Sequence, residues 1–223
     1  MKKKRRCTSG LTAVMLTCLL FCLPACAGGA AQAPEGYTFV EQPTSGNQIV
    51  DSSGFYSRMY FSTAPEQLAA ESQLVVSGKF LGPIDTLVIG LTSEIGGWTD
   101  VVHTKGLFEV ETVYKGSYEG RYFEAVYPGG AITLDKYMAD MSESEIAEKG
   151  YDKVAEKDRP HRFVTTDSDA TAELEPGQTY LLFLRRFNEE YRVVADKYST
   201  LSMQDGKIYN YDTQSYESLP PFD

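Results

Sequence analysis

Between Phe108 and Tyr114 the chain alternates, with Phe108, Val110, Thr112 and Tyr114 set against Glu109 and Glu111, until Lys115-Gly116 ends the run. A period of two places successive side chains on opposite sides of an extended backbone, so this stretch predicts a strand with one wet face and commits the chain to sheet. Further runs follow the same logic. Leu74 to Leu81 sets Leu74, Val76 and Phe80 against Ser77 and Lys79, and Leu87-Val88-Ile89 reads as a separate short strand before a loop-like Gly90 to Asp100. Tyr122 to Tyr127 is another strand, stopped by Pro128-Gly129-Gly130. Tyr180-Leu181-Leu182-Phe183-Leu184 is apolar on both faces, which predicts a strand covered on both sides, central in a barrel or beneath an insertion. Phe187 and Tyr191 flank Asn188-Glu189-Glu190, and Asp205-Gly206 separates Leu201–Met203 from Ile208–Tyr211, the residue pair that a two-residue type I′ hairpin turn demands.

Two stretches have the spacing of a helix start. Thr63-Ala64-Pro65-Glu66 predicts a capping box and a short helix to about Ser72, and Ser142-Glu143-Ser144-Glu145 a second one. In the second, Ile146, Gly150 and Val154 share a face and carry the expected surface helix to about Lys157, within an insertion spanning about 133–174. Thr165 to Ala172 reads as a solvated loop. The sequence thus predicts a mainly β fold: a small antiparallel OB-like barrel of five to seven strands with a short N-terminal helix and a helical insertion. Its expected limits are 54–217, with order starting at the aromatic run Phe55, Tyr56, Tyr60 and Phe61, and 218–223 with Pro220-Pro221 as a tail. The runs Leu74 to Lys79, Phe108 to Gly116 and Pro176 to Leu184 together resemble the OB-fold barrel of netrin-like, tissue-inhibitor-of-metalloproteinase-like domains and of bacterial lipoproteins similar to them. Inhibitors of that class are disulfide-bonded and present the amine and carbonyl of an N-terminal cysteine to a protease zinc. Nothing in this chain matches that arrangement, so the mechanism is not carried over.

The N-terminus has a different chemistry. Met1-Lys2-Lys3-Lys4-Arg5-Arg6 is followed by Leu11 to Leu23, thirteen nearly all-apolar residues without a charge. That run is shorter than the roughly 20 residues a membrane-spanning helix needs, and its flanks are those of a signal peptide covering residues 1–25. Leu23-Pro24-Ala25-Cys26 resembles the lipobox of bacterial lipoproteins, although Pro24 is a less usual occupant of its position. The resemblance implies cleavage after Ala25, lipid attachment at the Cys26 thiol, and a lipid-anchored protein on the extracytoplasmic face of a cell membrane, its partner there being the bilayer. Two acyl chains hold firmly where one holds marginally. Ala25-Cys26-Ala27 also fits ordinary signal peptidase, which would release a soluble product, and an uncleaved signal anchor is a third alternative. Small residues from Ala27 onward read as a flexible tether covering 26–53, with a root-mean-square reach of roughly 30 Å.

Removing residues 1–25 takes away five of the 21 basic residues and none of the 31 acidic ones, leaving a formal charge of −15. Such a surface disfavours nucleic acid, whose phosphates draw on clustered Lys and Arg. Cys7, Cys18, Cys22 and Cys26 are the four cysteines. The expected folded domain therefore has no disulfide and no cysteine nucleophile or ligand, and must be stable through apolar burial. His103, after Trp98-Thr99-Asp100 in an expected loop, and His161, in Asp158-Arg159-Pro160-His161-Arg162, are the two histidines. Two histidines without cysteine or H-E-x-x-H fall short of a catalytic or structural zinc site, so no metal or cofactor is expected. No G-x-S-x-G, P-loop or G-x-G-x-x-G occurs, and no catalytic residue stands out. Asp167-Ser168-Asp169-Ala170-Thr171 begins like a calcium loop but lacks the sixth-position glycine, and Gln178 stands where the twelfth-position glutamate belongs. Fifteen tyrosines are a softer signal, since their rings pack cores and also stack on sugars or fill peptide grooves. The expectation is a tethered, non-catalytic domain with a protein or glycan ligand at residues the sequence does not single out. A carboxylate-dependent hydrolase and a protease inhibitor of unfamiliar mode are the alternatives.

Overall fold

The computed structural model describes residues 32–43, 46–51, 63–92, 98–166 and 171–222. The signal segment, Ala25, Cys26, the aromatic run from Phe55 to Phe61 and the Asp167–Ala170 stretch lie outside the described residues. The described chain runs β1 (Gln48–Asp51), α1 (Pro65–Glu71), β2 (Leu74–Thr92), β3 (Trp98–Lys115), β4 (Tyr122–Pro128), β5 (Ala131–Thr133), α2 (Leu134–Tyr137) and α3 (Glu143–Glu148). It continues through β6 (Phe163–Thr166), β7 (Thr179–Phe187), β8 (Glu190–Val193), β9 (Thr200–Gln204), β10 (Lys207–Asn210) and β11 (Ser215–Ser218). The fold is mainly β, in two sheets. One has the order β1-β6-β5, the other β11-β10-β9-β7-β2-β3-β4-β8 with an added β7–β8 pairing. Because β8 meets β4 at Ala125↔Tyr191 and Val126↔Arg192 and meets β7 over four pairs, β2, β3, β4, β8 and β7 form a partial, barrel-like ring.

Leu74, Val76, Phe80, Phe108, Phe123, Tyr127, Leu182 and Leu184 fill the ring. Phe108 stacks on Phe123 at 5.0 Å, and Phe80 lies 5.2 Å from Phe108. The two apolar faces of β7 are both used: Leu182 and Leu184 face the ring interior, while Leu181 and Phe183 join Leu68, Ala69, Tyr198, Leu201 and Ile208 outside it. Helix α1 and the C-terminal strands, rather than the insertion, supply that outer cover. The far halves of β2 and β3 project beyond the ring, where Val102 packs with Ile132, Leu134, Tyr137, Tyr151 and Val164.

Several expectations are corrected. Leu74 to Leu81 and Leu87 to Ile89 are one 19-residue strand, because irregularities at Phe80/Gly82 and Pro83/Asp85 absorb the glycine and proline that suggested a break. The alternation of β3 holds from Phe108 to Val110, then bulges at Ser77/Gly78 and Val75/Val76 change the facing, so Tyr114 packs outside the ring and Val113 against its interior. Gln48–Asp51, expected in the tether, pairs in parallel with β6, and Val40 N–H donates to the Pro83 carbonyl at 2.9 Å. Thr165 and Thr166 are in β6 and Ala172 is buried, where a solvated loop was expected. Phe222, in the expected tail, packs against Tyr114 and Phe183 at 5.9 and 5.8 Å.

The capping boxes divide. Ser142 Oγ accepts from Glu145 N–H while the Glu145 carboxylate accepts from Ser142 N–H, as the spacing predicts, but α3 ends at Glu148 because Gly150 turns left-handed at φ 71° and the chain continues as 3₁₀ turns. At α1 the N-cap is Ala64 with no side-chain cap, and Thr63 instead donates its hydroxyl to Asp212 at 2.8 Å. The Asp205-Gly206 turn has both residues at positive φ, 51° and 73°, as a type I′ hairpin requires.

Candidate functional site

His103 is not in a loop. It lies within β3, paired with Leu87 and Pro128, and its Nδ1–H donates to the Val101 carbonyl at 3.0 Å. Burial lowers its imidazole below the ordinary histidine value, the Val101 bond opposes this, and the Arg192 charge adds to it. A neutral ring bonded to its own strand is a packing element. His161 is exposed on a 3₁₀ turn. The structure does not bring the two together with acids: among the described residues no group of three or more His, Cys, Asp or Glu is placed to hold a metal ion.

One concave feature that gathers both aromatic and charged groups lies where β4 meets β8. It is a cleft of about 480 Å³, within the roughly 300–1,000 Å³ range of small-ligand sites. Tyr37 comes from the segment ahead of β1, Tyr118 from the β3–β4 connection, Tyr122 from β4 and Tyr191 from β8. The rings meet edge to face, Tyr37 with Tyr122 at 6.3 Å and Tyr118 with Tyr191 at 6.2 Å, and the Arg121 guanidinium lies 5.1 Å from the Tyr122 ring. All four are half-buried.

Lys105, on β3, forms the polar centre. Its Nζ is 2.5 Å from Glu190 and 3.8 Å from Glu124. The bond to Glu190 raises the lysine further above its usual range and, reciprocally, the Lys105 bond holds the Glu190 carboxyl below the ordinary carboxylate value. Arg192, 3.3 Å from Glu190, reinforces this and stacks its guanidinium 4.5 Å from the Phe187 ring. Burial raises the Tyr118 phenol, aided by Tyr37, Tyr191 and Glu124, so it remains a neutral donor, bonded to the Tyr122 carbonyl. The arrangement supplies ring faces, phenol tips and carboxylate acceptors, with Glu190 and Glu124 paired to Lys105.

Sequence reasoning named none of these residues as a site. Tyrosine abundance was the available signal; their convergence depends on a parallel contact between β4 and β8, which no local pattern encodes. A second aromatic array, Tyr198, Tyr211, Tyr209 and Tyr216, runs in steps of 5.3–5.4 Å across the C-terminal strands; Tyr198 and Tyr211 pack against the outer core, whereas Tyr216 is exposed. No family model, no curated protein and no solved structure matches the chain. Among the described residues no helix is long and apolar enough to cross a membrane.

Proposed function

We propose that the chain is a membrane-tethered, extracytoplasmic binding domain without catalytic activity, built on an OB-like barrel and taking a protein or glycan ligand in the tyrosine cleft. Supporting the barrel assignment, five strands meet in a ring whose neighbours are not all sequential and whose one parallel contact joins β4 and β8, as in a partly open Greek-key barrel. The cleft draws on β3, β4 and the β7–β8 turn, the second and third strands and fourth-to-fifth loop along which OB-type barrels take ligands. The tether rests on Leu23-Pro24-Ala25-Cys26 behind an apolar run too short to span a bilayer.

One observation carries the binding reading: Glu190 and Glu124 are tied to Lys105, and the Lys105 bond holds the Glu190 carboxyl below the ordinary carboxylate value. A carboxylate-dependent glycosidase needs one acid held protonated near neutral pH, which requires a raised value, whereas Glu190 is lowered. The experiment has two arms. Cys26→Ser should shift the protein from membrane to soluble fraction and remove the mass of the acyl chains. Full-length protein should retain envelope glycans or proteins, and Tyr122→Ala should abolish that retention. A soluble wild-type protein refutes the tether, and retention indifferent to Tyr122→Ala refutes the site.

A further inference from the structure

We propose that the cleft takes a neutral oligosaccharide, its sugar faces laid on Tyr122 and Tyr191 and its hydroxyls donated to the Glu124 and Glu190 carboxylates. This ligand class rests on the cleft being the binding site. A pyranose ring is amphipathic in the same sense as tyrosine, with an apolar C–H face and a polar rim, so a site for it needs ring faces beside hydrogen-bonding groups. The two edge-to-face tyrosine pairs and the Lys105 centre supply both.

Charge selects among glycans. Ionised carboxylates have several lone-pair sites each, so Glu190 and Glu124 still accept from sugar hydroxyls while bonded to Lys105. Lys105 and Arg192 are already bound to Glu190, Arg186 at the rim is bound to Glu189, and the whole chain carries −10, so the cleft offers an anionic polysaccharide little attraction.

Backbone geometry argues against an extended peptide. Val110 N–H donates to the Arg121 carbonyl at 2.8 Å, which makes Glu109↔Tyr122 a non-hydrogen-bonded pair and turns the Tyr122 carbonyl away from β3, towards the β8 side. There the Tyr118 hydroxyl occupies it. Strand addition draws its affinity from free main-chain groups, and at this edge that acceptor is taken.

The test uses the full-length chain in a zwitterionic detergent, titrated calorimetrically with chitotetraose, cellotetraose and maltotetraose as neutral probes and tetragalacturonate as the anionic one. At least one neutral probe should bind. Tyr122→Ala and Tyr191→Ala should each weaken it by about tenfold or more, Tyr122→Phe should retain most of it, and Tyr216→Ala, on the C-terminal hairpin, should leave it unchanged. Glu124→Leu, at an exposed position that folding tolerates, should also weaken binding and covers the case in which a tyrosine variant fails to fold. Silence from all three neutral probes, preference for tetragalacturonate, or binding that survives Tyr122→Ala, Tyr191→Ala and Glu124→Leu overturns the proposal. If envelope protein is instead retained in a Tyr122-dependent way, the glycan is wrong and the binding domain stands. If neither sugar nor protein is retained, both fall.

Discussion

Replacing Gly106 by alanine tests the packing inside the ring. Gly106 lies on β3 between Pro83 of β2 and Ala125 of β4. A β-carbon there would sit 2.8 Å from Phe80 Cε2, 2.9 Å from Tyr127 Cε1 and 3.0 Å from Phe108 Cε2, against about 3.5–4.0 Å for ordinary carbon contacts. The three rings are buried and interlocked, Phe80 lying 5.2 Å from Phe108 and 6.1 Å from Tyr127, so none can yield without displacing another. Overfilling such a core costs about 1–3 kcal/mol. Alanine's smaller unfolded-state freedom offsets about 0.4–1 kcal/mol of that. The net loss is roughly 1–2 kcal/mol, and at about 2–4 °C per kcal/mol for a domain of this size the thermal midpoint should fall by about 2–8 °C. Circular dichroism melting of the full chain measures it. Adding Phe80→Leu removes the nearest ring, so the double variant should lose less than the two single losses combined. An alanine variant melting at or above the wild-type temperature, or strictly additive losses, would refute steric exclusion as the reason for glycine here.

Three further outcomes follow from the same contacts. Because the Lys105 bond keeps Glu190 below its ordinary value in the folded state, the stabilisation is complete above about pH 4.5 and is lost as pH falls through the folded value; Glu190→Gln should therefore flatten the decline of the melting midpoint between about pH 5 and 3. Burial, with neighbouring tyrosines, pushes the Tyr211 phenol up to about 12. Its contribution is present below the free-tyrosine value of about 10 and disappears as pH rises to 12, so Tyr211→Phe should lessen alkaline destabilisation in that window, and difference absorbance should lose one late-titrating tyrosinate. Ala64→Ser should stabilise the chain by about 0.5–1 kcal/mol in chemical denaturation, since the N-cap of α1 has extended geometry and no side-chain acceptor.

What was legible in the sequence was local. The Asp205-Gly206 turn, the Ser142 capping box and the two-faced burial of Tyr180 to Leu184 each depend on a few consecutive residues, and each is found as expected. What was not legible depends on distant partners. Gly82 and Pro83 look like a break until β3 is seen to run past them with bulges, and Thr63 looks like a cap until Asp212 competes for its hydroxyl. The N-terminal segment has no periodicity to betray it, yet Phe39 packs beside Gly82 and Tyr37 against Tyr122, long-range contacts that place an apparently unstructured stretch beside the cleft.

The cleft and the insertion are two consequences of one connection. Parallel neighbours cannot be joined by a hairpin; they need a crossover of a dozen residues or more. Between the end of β4 at Pro128 and the start of β8 at Glu190 the chain must travel out and return, and it uses that length for β5, α2, α3, β6 and β7. What reads in sequence as an added surface element is thus the passage that lets β8 arrive beside β4 in the same direction. It also limits the contact: β8 is four residues long, bound to β7 along its whole length but to β4 by two residue pairs. Around those two pairs Tyr118, Tyr122, Tyr191 and Lys105 line the junction with rings and an ion pair.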